Sequence, residues 1–337
     1  MYEDLNVQLI SLKGSYNEIG LNQGKVIPMD PKFQILKSLN ENVDAVSAQS
    51  NLEKHFPGLL EEIRGLADGL NIDDKEAIQM FSGYDMMIPP MGCTSFSDGK
   101  HYVRNYDFGP LLYDGRLVFV KPNNGYASIG FSQQITGRLD GMNEAGLVVG
   151  LHLVNENHKG KGFIAATIVR MLLDQCKNVE EAADFIQKIP HSYCYNYSLL
   201  DRYGNTRIIE ATPDKQIIRG GTSLNCTNHF ETESIKEKNR PYIEGSLHRK
   251  NLIEQLPTNL TSEEAFKTFN EESSPLFFKN YEQFYGTLHT VVYIPESLEV
   301  IVGIGGNAAP KKFSISKLLK GEEELKGELV GKIQVGH

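Results

Sequence analysis

The amino-acid sequence predicts an α+β layered sandwich, and three observations carry that reading. The first ninety residues read mostly helical, the chain turns to β-rich runs past Cys93, and strands resume after a central pair of helices. At 337 residues the chain is long enough to bury a substantial core as one large domain or two.

Within the helical part, Leu59, Leu60, Ile63, Leu66 and Leu70 fall on one face of a helix over Pro57 to Leu70, with Pro57 suited to its first turn. Asp73 and Glu76 have the spacing of a capping box ahead of Ala77, Ile78 and Met80. Pro89, Pro90 and Gly92 then break the pattern over Tyr84 to Gly92. Strand signals follow at 101–108, 116–121, 126–133 and 146–154, separated by Gly, Asp and Asn turns. Two helices are predicted next, 163–175 and 179–189, the second capped by Asn178 with Glu181 three residues on and stopped by Pro190. A hairpin around Tyr203-Gly204-Asn205, a strand over 216–225, a helix near 261–269 and a hairpin of 290–294 with 299–304 complete the chain.

Composition narrows the partners. A net charge of −9 with no Lys/Arg block argues against nucleic acid and anionic membrane, which leaves a small molecule. No apolar run approaches the roughly 20 residues that span a bilayer, and the start Met1-Tyr2-Glu3-Asp4-Leu5 lacks the basic and apolar regions of a secretory signal, so a cytoplasmic protein is expected. Cys93, Cys176, Cys194 and Cys226 form no C-x-x-C pair and no zinc spacing, so neither disulfide, metal nor cofactor is expected.

Chemistry concentrates around Cys93. A glycine directly before a cysteine, between a Pro-rich breaker and a first strand, is a poor place for routine core packing, although a lone buried cysteine is a common small hydrophobe. Arg104-Asn105-Tyr106-Asp107 closes the next strand signal, where a tight turn returns it beside the thiol. A cation there favours thiolate and a carboxylate orients an amine, whereas an exposed Arg/Asp pair does little. The segment Asp140 to Leu147 reads as a turn leading into a strand that ends at Leu151-His152. Thr227-Asn228-His229 follows another strand, where Asn228 has an amide to offer an oxyanion.

In order along the chain these segments, with Gly14 to Gly20 and Phe56 to Leu70 before the cysteine and Tyr285 to Leu288 after it, resemble a known family. It is the acyl-coenzyme A:isopenicillin N acyltransferase branch of the choloylglycine hydrolase and penicillin V acylase superfamily. The resemblance implies a four-layer αββα sandwich of the N-terminal-nucleophile hydrolase type. It makes Cys93 the nucleophile, Arg104 the arginine beside the sulfur, Asp107 the carboxylate that binds the new α-amine and Asn228 an oxyanion donor. His152 stands where relatives carry Asn or Tyr, and Arg249 matches a further site arginine; both are expected to bind substrate or the oxyanion.

Because Cys93 is internal, removal of Met1 cannot expose its amine, and cleavage between Gly92 and Cys93 is expected, giving a helical segment 1–92 that stays associated and a catalytic domain 93–337. Glycine suits that bond by tolerating strained dihedrals and leaving its carbonyl unshielded. The activity implied is hydrolysis of linear, non-peptide amides or acyl transfer through a Cys93 thioester. An amide or acyl donor, an amine acceptor and a homo-oligomer are the partners expected. Two rivals stand beside it. One is an unprocessed thiol hydrolase with His152 or His229 as base, the other a non-catalytic binding protein on the same scaffold.

Overall fold

A computed structural model describes residues 2–29, 31–221, 223–281 and 285–334. The chain opens not on a helix but on a strand, β1 (Tyr2–Gly14), followed by α1 (Tyr16–Gly24), α2 (Pro31–Asn40), α3 (Ala45–His55), α4 (Pro57–Leu70) and α5 (Asp74–Phe81). Next come β2 (Gly92–Ser97), β3 (Tyr102–Phe108), β4 (Arg116–Pro122), β5 (Ser128–Gln133), β6 (Gly137–Arg138), β7 (Asp140–Asn143) and β8 (Val148–Asn155). The helical pair is α6 (Ala165–Gln175) and α7 (Val179–Ile186), followed by β9 (Cys194–Leu200), β10 (Thr206–Ala211), β11 (Gln216–Gly221) and β12 (Leu224–Cys226). The last part holds α8 (Glu244–Glu254), α9 (Ser262–Asn270), β13 (Gly286–Ile294), β14 (Glu299–Ile304), β15 (Lys311–Ser314), α10 (Ile315–Lys320) and β16 (Gly327–Gln334).

The strands form two sheets. One runs β11-β10-β9-β8-β7-β5-β4-β1-β16 with β6 attached to β5, and the other runs β12-β2-β3-β13-β14-β15. Their inner faces meet where β2 lies against β8, while α6 covers the first sheet over β6, β7 and β8 and α8 and α9 cover the second over β2, β3, β12 and β13. That is the αββα order expected. The predicted strand over 216–225 is two strands in different sheets, β11 and β12, because Gly220-Gly221 lets the chain leave one sheet edge and cross to the other. Thr222, within that predicted strand, lies outside the described residues.

The 1–92 segment is not helical throughout. β1 runs parallel to β4 from Gln8 to Gly14 and antiparallel to β16 from Tyr2 to Leu9, so it fills an interior place in the larger sheet. Its helices are keyed in as well. Ser15 and Glu18 form a capping box on α1, and α1 crosses α4 backbone to backbone, since a Cβ at Gly20 would stand 1.9 Å from the Glu62 carbonyl oxygen and one at Gly65 2.1 Å from that of Asn17. This close crossing explains why the motif residues before Cys93 are rich in glycine. Across the interface, Arg170 of α6 donates to Glu62 of α4 at 2.8 Å with both side chains fully buried, and Tyr16 donates to Asp174 at 2.6 Å. Among the described residues no helix is long and apolar enough to cross a membrane.

Candidate active site

The alternation of a β-strand decides where each candidate side chain goes. In the β2/β3 ladder Cys93 stands opposite Tyr106, Ser95 opposite Arg104 and Gly92 opposite Asp107. Cys93, Ser95, Arg104 and Tyr106 therefore share the face turned towards the larger sheet. Gly92, Thr94, Asn105 and Asp107 share the face under α8 and α9. Arg104 and Asp107 thus lie on opposite sides of β3, and both are fully buried rather than an exposed pair.

On the inner face, Arg104 Nη2 donates to Cys93 Sγ at 2.9 Å and to the Leu151 carbonyl at 2.8 Å, while Nη1 is bound to Asp140 Oδ2. Asp140 also accepts from Tyr293 Oη at 2.6 Å and faces His289 Nε2 at 3.4 Å, so three groups converge on the carboxylate that holds the guanidinium. Burial pushes the Cys93 thiol up to about 11, with Arg104 pulling the other way. The Cys176, Cys194 and Cys226 thiols are also buried and raised by burial, but among the described residues only Cys93 has a guanidinium N–H donating to its sulfur.

On the outer face, Arg249 of α8 ties the backbone of the nucleophile to its polar neighbours. Its Nη1 donates to the Cys93 carbonyl at 3.1 Å, Thr94 Oγ1 at 2.8 Å and Asp107 Oδ2 at 3.2 Å, and its Nη2 donates to Asn228 Oδ1 at 3.0 Å. Thr287 Oγ1 donates to the other Asp107 oxygen at 2.6 Å. Burial raises the Asp107 carboxyl above its usual range, against the pull of Arg249 and the Thr287 hydrogen bond.

Asn228 sits differently from its expected role. Its Oδ1 accepts the Cys93 backbone N–H at 2.8 Å and its Nδ2 donates to the Leu153 carbonyl at 2.9 Å, so in the intact chain the amide is spent and the carbonyl faces Cys93. His152 lies on the inner face beside the Cys93 backbone, with Nε2 within 3.1 Å of Ser95 Oγ and 2.9 Å of Ser198 Oγ. Burial first, and then Arg104, hold its pKa well below the ordinary histidine value, against the pull of a hydrogen bond to the Cys93 backbone, so the ring is neutral. His229 is turned away, with Nδ1 2.8 Å from Ser246 Oγ. Among the described residues no histidine hydrogen-bonds the Cys93 sulfur.

Gly92 does not have a positive φ, unlike Gly83 and Gly99 on either side. What the position requires is space rather than strained dihedrals, for a Cβ there would stand 1.6 Å from Tyr285 Oη and 3.3 Å from the Asp107 Cβ.

Residues 95–309 match the family model of acyl-coenzyme A:6-aminopenicillanic acid acyl-transferase, a stretch that holds Arg104, Asp107, His152, Asn228 and Arg249 and begins just after Cys93. The chain belongs to this acyl-transferase family. Membership makes it an enzyme of acyl transfer. Among solved structures the acyl-transferase chain is similar to penicillin V acylase from Agrobacterium tumefaciens, at 17% identity over 72% of this chain and 90% of that one, with a TM-score of 0.44. It is also similar to a variant of the conjugated bile acid hydrolase from Clostridium perfringens, at 13% identity over 73% and 97%, TM-score 0.45. A third is the N-acylethanolamine-hydrolyzing acid amidase ortholog of Caenorhabditis elegans, at 12% identity over 61% and 93%, TM-score 0.40. These are likenesses of overall shape, too loose to carry a functional argument. No curated protein sequence matches the chain.

Sequence reasoning missed four residues of the candidate site. Asp140 holds Arg104 from the larger sheet, His289 and Tyr293 meet Asp140 from β13, and Thr287 holds Asp107; these contacts join residues 36 to 180 positions apart, which no local spacing reveals. Asp140 is a positioning residue. Asp140→Asn is expected to loosen Arg104 from the sulfur and slow acylation by about a hundredfold, while Asp114→Asn, outside this network, leaves it unchanged. Single-turnover kinetics of both variants check this, and equal rates would remove Asp140 from the site.

Proposed function

We propose that the chain cuts itself between Gly92 and Cys93, and that the freed Cys93 cleaves or transfers amide-linked acyl groups through a thioester. The observation that carries this reading is burial. Cys93 is completely inaccessible in the intact chain although its sulfur and backbone are held by Arg104, Asn228 and Arg249, so an external amide reaches the sulfur only after a rearrangement around it, which cleavage ahead of Cys93 would supply.

In the first step Cys93 Sγ bonds to the Gly92 carbonyl carbon, the Gly92–Cys93 C–N bond breaks, and the thiol proton ends on the nitrogen, which becomes the α-amine. Water then cleaves the thioester to leave the Gly92 carboxylate and a free thiol. In the mature enzyme an unperturbed α-amine has a pKa of about 7.7–8.0, suited to taking the thiol proton near neutral pH. Asn228 Oδ1, already on the Cys93 nitrogen, and Asp107, opposite Gly92, orient that amine. Arg104 favours the thiolate. His152, neutral and hydrogen-bonded to the Cys93 backbone, is the side chain placed to donate to the oxyanion while the Asn228 amide is held by the Leu153 carbonyl. The amine's proton then goes to the leaving amine, and water or a second amine resolves the thioester.

The structure favours this over a cysteine–histidine pair, because the sulfur has an arginine rather than a histidine against it. The two fragments are expected to stay together after cleavage, through β1 in the larger sheet and the Glu62–Arg170 pair. Size exclusion should give one particle under native conditions, and denaturing electrophoresis two chains. Release of 1–92 from a folded 93–337 would contradict this. The reading is tested by following Cys93 thioester formation against pH: acylation should fall as pH drops through the amine pKa, since the protonated amine cannot accept the thiol proton.

A further inference from the structure

We infer that the acyl group this enzyme accepts carries no substituent at the L-configured position of its α-carbon, and that Tyr285 enforces this. The inference rests on the self-cleavage reading. The thioester formed in that step joins Cys93 Sγ to the Gly92 acyl group, the same kind of bond that a substrate makes later. Gly92 is therefore the first acyl group the nucleophile receives, its Cα is the acyl α-carbon, and Met91 marks the direction of the rest of the acyl chain.

Tyr285 closes one side of that α-carbon. The phenol Oη lies 1.6 Å and Cζ 2.7 Å from where a Cβ on Gly92 would stand, with the Asp107 Cβ at 3.3 Å on the second side. The ring is braced edge-on by Phe278, with centroids 5.5 Å apart, and its backbone N–H donates to the Asn280 carbonyl at 3.1 Å. A side chain of an L-amino acid on the acyl side, or the corresponding enantiomer of an α-methyl acid, meets the phenol. A CH2 does not. Beyond it, Met91 lines a very small, mostly apolar cavity with Leu139, Leu151 and Ile164, which also holds Gln133 and Gln134 and which departure of the linker would enlarge for an alkyl chain. The substrate class is thus amides of acids with an unbranched α-carbon, and acyl groups built from L-residues other than glycine are excluded.

The test compares the aminomethylcoumarin amides of hexanoic acid and of the two enantiomers of 2-methylhexanoic acid on wild-type protein whose fragment starting at Cys93 has been verified by mass. One enantiomer is expected to fall below the hexanoyl amide in kcat/KM by a factor on the order of ten to a hundred, the rate equivalent of an overpacked contact. Tyr285→Ala should narrow that gap, and Tyr285→Phe, which removes only the oxygen, should narrow it partly. In the precursor, Gly92→Ala should stay uncut and Gly92→Ala with Tyr285→Ala should cut. Equal rates for all three amides in wild type, or a Gly92→Ala chain that cuts as fast as wild type, overturn the inference while leaving self-cleavage intact. A wild-type chain that neither cuts nor labels at Cys93 overturns the reading beneath it.

Discussion

Cys93→Ala is expected to remain one chain of 37.7 kDa and to lose amide turnover by about four orders of magnitude or more. In the mechanism proposed above both losses come from one atom, since the same sulfur would attack the Gly92 carbonyl in the precursor and later carry the acyl group. The Arg104 guanidinium that now donates to it at 2.9 Å would be left facing a methyl group, still held by Asp140 and the Leu151 carbonyl, so the variant should fold. Cys176→Ala and Cys226→Ala, at buried thiols without such a partner, should cut and turn over as wild type does. Intact mass and a fluorogenic amide assay on the three variants separate a nucleophile from a generic need for a thiol; loss of activity in all three would remove the distinction.

Arg249→Met should lower stability by about 3–5 kcal/mol, the usual result of stripping one partner from a buried ion pair, and should halt processing. The arginine is the counter-charge of Asp107, which is fully buried and otherwise held by Thr287. It also fixes the Cys93 carbonyl and Asn228, so the scissile bond loses its alignment with its charge partner. The pH dependence has a definite sign. Burial raises the folded-state pKa of Asp107, and without Arg249 the chief opposing influence is gone, so the variant should be most stable at low pH and lose stability as pH rises through the raised value. Adding Asp107→Asn should recover much of the stability without restoring cleavage. Urea midpoints at pH 5 and pH 8 check both statements, and a pH-independent loss would mean that Asp107 is not the group left uncompensated.

Much of this site is written in local sequence. The three-residue step from Arg104 to Asp107 on a strand already places them on opposite faces, which assigns one to the sulfur and the other to the backbone side. The Gly-Cys step and the order of the motifs point to Cys93 and Gly92. The strand β1 was legible too, since Leu5 and Val7 alternate with Asn6 and Gln8 and are the buried members, but a reading dominated by the helices that follow passes over it. Other parts lacked a local signal. α8, which delivers Arg249, has apolar residues too scattered to mark a face, and it buries Arg249 and Lys250 alongside Ile253. The hold of Asp140 on Arg104 and the contact of Tyr285 with Gly92 arise only when distant strands close on one another, and the Asn228 amide turned towards Leu153 depends on a neighbouring strand.

The most direct measurement is the intact mass of freshly purified wild-type protein under denaturing conditions, before and after treatment with an acyl-donating electrophile. Two chains are expected, 1–92 and one starting at Cys93, with the acyl mass added to the second alone. A single full-length chain that nevertheless turns over amides would contradict self-cleavage and the use of the Cys93 α-amine as the base.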